Sequence, residues 1–200
     1  MQKATKGQFG YFRYERTRRL LITILTILLP ATIFVAGILI YGSEKNLLTV
    51  LSLVLVIPFA MAFASLIMVY THKSIPEDLY REVEDHAGTL MTVYELYVTH
   101  EEASTMVDAA AICGNTIVGL VTEKRGDPKF TADYIKKVLR SNGIGSNVTL
   151  MTDRKHFIER LDTMNEHADT LRDVKFKPDS RYPDYDIEQT IWMFLTQISL

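Results

Sequence analysis

Two stretches of this chain, residues 20–41 and 47–70, contain no Asp, Glu, Lys, Arg or His, and only Gly42-Ser43-Glu44-Lys45-Asn46 separates them. A hydrocarbon core about 30 Å thick is crossed by a helix of about 20 residues rising 1.5 Å each. Either stretch is long enough. The reading is a transmembrane helical hairpin over residues 20–71, with a basic, aromatic arm over 1–19 before it and a polar domain over 72–200 behind it. An apolar region of a signal peptide is shorter and ends at a small-residue cleavage site. Here the first run is long and a second follows at once, so the pair reads as a retained anchor.

Charge gives the expected orientation. Lys3, Lys6, Arg13, Arg16, Arg18 and Arg19 precede the first span against Glu15 alone, whereas the turn carries Lys45 offset by Glu44. Positive charge near a span stays on the cytoplasmic side. Both termini and the domain are therefore expected in the cytoplasm, and the turn outside an inner (plasma) membrane. Tyr11, Phe12, Arg13, Tyr14, Arg16, Arg18 and Arg19 read as a membrane-interface belt, with rings among headgroups and Arg on lipid phosphate. Pro30 and Pro58 sit near mid-span, where each removes a donor and favours a kink. Ala60 and Ala64 make a small-xxx-small face suited to helix packing, within the hairpin or between protomers. The spans contain none of the charged residues that mark a proton or ion path. A pore would require oligomerisation.

From Ile75 to Leu200 about 125 residues remain, enough for one core. Past residue 74 there are 14 Lys and Arg against 22 Asp and Glu. That acidity counts against nucleic acid, because non-specific binding depends on Lys and Arg displacing counterions from phosphates. Cys113 is the only cysteine, so no intrachain disulfide forms.

Along the domain, Ser74 as a cap, Pro76 in the first turn and Glu77 and Asp78 behind it open a helix over 77–87 that Gly88 closes. Residues 90–98 alternate and are rich in Tyr, Val and Thr, which is a strand pattern. The next stretch is open to two readings: an alanine-rich helix over 101–113, or strands 106–113 and 116–122 joined by Gly114-Asn115. The hairpin is preferred, since that dipeptide falls between matched apolar runs. A helix over 131–141, a strand over 148–151 and a helix over 154–167 capped by Asp153 follow. Residues 175–184 read as a loop, and Asp186 caps a terminal helix over 187–198. The order α-β-β-β-α-β-α plus a terminal helix predicts an α/β (α+β) domain with a mixed four-stranded sheet and flanking helices.

With Asp108 on the first hairpin strand and Glu123-Lys124-Arg125 ending the second, which runs Gly119-Leu120-Val121-Thr122 before them, that order resembles the restriction-endonuclease-like core. It is similar in particular to the nuclease-related domain of some membrane-linked bacterial proteins. The resemblance implies Asp108 and Glu123 as ligands of a divalent cation and Arg125 in place of the family's lysine, acting on the attacking water. The register departs from the family pattern, in that Arg replaces Lys and Lys124 is one position early.

Other candidates have plainer readings. His72, His86, His100, His156 and His167 show no metal-finger spacing, and His100-Glu101-Glu102 reads as a solvated loop. Cys113 reads as a small buried residue, and Gly143-Ile144-Gly145-Ser146 as a helix terminator without a Walker lysine. The pairs Glu77/Asp78 and Glu84/Asp85 read as a solvated helix face. Asp179, Asp184 and Asp186 lack the ligand spacing of a calcium loop. The Trp192-Met193-Phe194-Leu195 run reads as core. No cofactor is implied. The leading reading is a non-enzymatic two-pass membrane protein whose domain binds another protein or a ligand, with lipid and possible further protomers as partners. A membrane-tethered metal-dependent nuclease is the alternative, and an oligomeric pore a second one.

Overall fold

The computed structural model describes residues 4–99, 104–123, 126–178 and 182–199. The chain forms two compact units, one made of Phe12–Lys73 and the other of Ala4–Tyr11 with Ser74–Leu200.

The first unit contains helices α1 (Tyr11–Tyr41) and α2 (Leu47–Tyr70), both long and apolar enough to cross a membrane. Each runs unbroken through its proline. Gly42, at φ +65°, ends the first helix, and the Asn46 side chain opens the second by accepting the Thr49 N–H at 2.9 Å. The helices meet where polar side chains serve backbone. Arg19 donates to the Ser65 carbonyl at 3.0 Å and its hydroxyl at 2.8 Å, and the Thr23 hydroxyl donates to the Ala62 carbonyl at 3.3 Å. Ala62, Leu66 and Val69 turn inward, whereas Ala60 and Ala64 lie on the outward face of α2. The small-residue face therefore takes no part in packing within the hairpin. Most of the large apolar side chains also point outward: Leu53 is 71 % exposed and Leu25 66 %.

The arm read as one segment over 1–19 divides. Residues from Tyr11 onward belong to α1, while residues 4–11 join the second unit.

The second unit is a mixed four-stranded sheet between two helix layers. Its strands are β1 (Met91–Thr99), β2 (Ser104–Cys113), β3 (Thr116–Leu120) and β4 (Asn147–Met151), in that spatial order. The first three pair antiparallel, and β4 lies parallel to β3. The stretch open to helix or hairpin is a hairpin: Cys113 pairs with Thr116 across the two-residue turn, and Gly114 has φ +55°, the conformation a II′ turn requires at its first central residue. Helices α3 (Glu77–Ala87) and α5 (Arg154–Glu166) cover one face through Leu79, Val83, Phe157 and Leu161. Helices α4 (Pro128–Ser141) and α7 (Ile187–Ile198) cover the other through Ile135, Leu139, Ile191 and Leu195. With both faces covered, the central strand β2 is buried along nearly its whole length. Its Ala109-Ala110-Ala111 run lets helices approach from either side.

A fifth helical piece of the domain, α6 (Ala168–Arg172), lies where no element was expected. Asp153 and Asp186 cap α5 and α7 as their positions suggest, the latter in a capping box with Gln189. Ser74 does not cap α3. Pro76 holds the cap position, and the Ser74 hydroxyl donates to Glu95 instead.

Candidate functional site

Strand alternation puts successive side chains on opposite faces, and β1 breaks that rule once. Val93 and Leu96 both belong to the α4–α7 side and Tyr94 to the α3–α5 side. The slip falls on Glu95, whose φ of +55° is the one positive value among described non-glycine residues. The neighbouring strand slips opposite it, since Val107 and Ala110 share the α4–α7 side and Ala109 lies on the other. Asp108 stands at that slip. The two acids inside the sheet thus mark the places where its alternation changes phase.

Glu95 is 1 % exposed. Its Oε1 accepts from the Gly10 N–H at 3.2 Å, the Ile75 N–H at 3.2 Å and the Ser74 hydroxyl. Beside it, Tyr94 donates its phenol to Glu84 at 2.5 Å, and burial pushes that phenol well above its ordinary range. Glu84 is therefore not simply part of a solvated face. Nor is Asp78, which pairs with Arg154 of α5 at 2.9 Å. Tyr80 of α3 stacks on Phe9 with centroids 4.1 Å apart and meets Tyr94 edge-on at 5.1 Å. Phe9, read from the sequence as part of the basic-aromatic arm, is a packing residue of the domain.

Asp108 is 7 % exposed, and its Oδ2 accepts from the Thr122 N–H at 2.6 Å and hydroxyl at 2.8 Å. The carboxylate thus holds the chain where it leaves β3. Burial raises its carboxyl above the ordinary 3.8, the Thr122 bonds pull it back, and the charge of Glu123 adds to the rise. Glu123 is exposed just after β3, and Arg125 lies outside the described residues. Among the described residues no three His, Cys, Asp or Glu side chains gather as a metal site would need.

The raised pKa has a stability consequence. The folded state binds this proton more readily than the unfolded chain, so the group's contribution to stability falls as pH rises above 3.8. Asp108→Asn keeps an oxygen that accepts from both Thr122 donors. The variant is expected to be at least as stable as the native chain at pH 7, with the difference shrinking as pH falls towards 3.8. Urea unfolding followed by the single Trp192 at two pH values measures it, and a variant weaker at pH 7 contradicts it.

The interface candidates all sit on α1, where several serve the protein itself. Arg16 donates to the carbonyls of Val69 at 3.4 Å and of His72, and its guanidinium lies 5.4 Å from the Tyr70 ring. Arg18 and Arg19 pair with Glu15 at 2.9 and 3.0 Å. Tyr11 and Phe12 are buried, Tyr14 is half-buried and Arg13 is exposed.

One groove of the domain is aromatic. Met91, Tyr185, Gln189 and Trp192 line about 340 Å³ where β1 begins beside α7. Tyr182, stacked on Tyr185 at 5.4 Å, stands next to it, and both rings are more than a third exposed. Within the Trp192 run the core reading fits Leu195, while Trp192 is half-buried and faces the groove. Sequence reasoning missed Glu95 and this groove. The signal for Glu95 was one acid inside the strand Met-Thr-Val-Tyr-Glu-Leu-Tyr-Val-Thr. The groove had none, because its walls lie about a hundred residues apart in sequence.

No family model matches this chain, and comparison with curated proteins and with solved structures gives no significant match to either.

Proposed function

We propose that this chain is a two-pass membrane protein with both termini on the cytoplasmic side of the cell membrane and that its α/β domain is a binding module. Support for the placement comes from the six basic residues ahead of the first span against the near-neutral turn. The binding role rests on the groove of Met91, Tyr185, Gln189 and Trp192. Mostly apolar concavities with a few polar groups are the usual form of a ligand or peptide site, and aromatic rings carry much of the energy at such surfaces. A photo-crosslinking residue at the exposed position 189, in native membranes, is expected to give one discrete adduct. Tyr185→Ala should remove that adduct. No adduct, or one unaffected by Tyr185→Ala, rejects the groove as the binding surface. A protease added outside intact cells should leave the domain whole, and digestion of the domain rejects the orientation.

A second reading, a membrane-tethered metal-dependent nuclease, has one observation on its side: the Asp108 carboxylate accepts from Thr122, the residue next to Glu123. Divalent-cation-dependent cleavage of DNA that disappears in Asp108→Asn would favour it. No cleavage across several metals and substrates counts against it.

A further inference from the structure

We infer that Glu95 is a joint that couples the two places where the chain passes between hairpin and domain, so that loosening one loosens the other. The chain leaves the domain after Tyr11 and returns at Ser74. Gly10 lies on the outgoing side, and Ser74 and Ile75 on the returning side. All three donate to the same oxygen, Oε1 of Glu95. An oxygen offers two lone pairs, so three donors share it and each bond depends on where the other two are.

The position holds this side chain against two costs. A non-glycine residue at φ +55° carries backbone strain. Burying a carboxylate is costly unless it is well bonded. Glycine would take the same backbone conformation without strain, so the carboxylate is what the site needs. The ladder between β1 and β2 registers Tyr94 with Ala109 and Leu96 with Val107 and passes over Glu95. The bonds from Gly10, Ser74 and Ile75 tie the residue to the crossings.

A second connection runs parallel to the first. On the outgoing side, residues 4–11 form a strap along the outer edge of β1. Gly7 accepts from the Tyr94 N–H at 2.9 Å, and the Lys6 ammonium donates to the Ser199 carbonyl at 3.1 Å. Phe9 of the strap stacks on Tyr80 of α3, the first helix after the return, and Tyr80 packs against Tyr94. Strap, returning chain and β1 therefore meet twice, at an aromatic stack and at one buried oxygen.

Hydrogen exchange of the full-length chain in lipid nanodiscs tests the joint. In Glu95→Gln the Gly10 and Ile75 amides are expected to exchange at least tenfold faster together, with the Ala110 and Ile112 amides of β2 unchanged. Phe9→Ala should speed exchange at Ile75 in the native background and add nothing in Glu95→Gln. Should Glu95→Gln fail to fold, Ser74→Ala supplies the same decision, with a threefold or greater change expected at Gly10, across the joint from the substitution. The inference is overturned by an unchanged rate at Gly10 or Ile75, by additive effects of the Phe9 and Glu95 substitutions, or by a uniform rise through β2.

Discussion

Gly114→Ala is expected to destabilise the domain by about 3 kcal/mol or more, at or beyond the top of the range of most single substitutions. Gly114 has φ +55°, and a Cβ built there would lie 1.9 Å from the Leu171 carbonyl oxygen and 2.8 Å from its carbon. The obstacle is main chain, so no side-chain rotation relieves it. Moving α6 away has its own cost. Arg172, the next residue, donates to Glu188 at 2.8 Å and to the Thr89 carbonyl at 2.6 Å, and Glu188 also accepts the Gly114 N–H at 2.8 Å. Displacing either the turn or α6 breaks a carboxylate that is 9 % exposed away from its donors, and such a group costs more left unpaired than it contributes when paired. Urea unfolding followed by Trp192 fluorescence measures the effect, and a loss under about 1 kcal/mol, the scale of an ordinary substitution, would show that α6 yields easily.

That contact also shows where sequence reasoning stops. The Gly114-Asn115 turn was legible because a two-residue hairpin needs a positive φ and a glycine stood between matched apolar runs. The same was true of Asp153 and Asp186, whose side chains accept from nearby amides and so leave a local trace. The element order and the mixed sheet followed from such signals. Helix α6 did not, since five residues carry no periodicity. The strap did not either. Gly7 pairs with Tyr94 from the far side of the whole hairpin in sequence, and a lone bridge of that kind imposes no pattern on its neighbours. Ser74 was assigned to the nearest helix because capping is local, while its actual partner is on the next element but one. The two-residue alternation of β2 holds on either side of Asp108 and slips at that residue. Chemistry inferred from strand period is least secure at an acid inside a buried sheet, because that is where the backbone bends to satisfy it.

Leu53→Arg combined with Ile57→Arg is expected to remove α2 from the membrane. Each charge at a helix centre shifts the insertion free energy by about 3–4 kcal/mol relative to an apolar residue, so the pair opposes insertion by about 6–8 kcal/mol. Both side chains are more than 60 % exposed on the hairpin, so the change does not act by disrupting contact with α1. They lie one turn apart on the same face, so both charges meet the same surroundings. On the orientation proposed above, with α1 still inserted and α2 excluded, the domain would be left on the opposite side of the membrane, and a protease added outside intact cells would then reach it. Leu53→Ala with Ile57→Ala should leave the domain protected. If the double Arg variant kept the native protease pattern and still resisted alkaline carbonate, the outward face of α2 would be shielded from lipid. The exposed Leu53, Ile57 and Met61 would then be covered by protein, and the surface presented by Ala60 and Ala64 would become the place to look for a second copy of the hairpin.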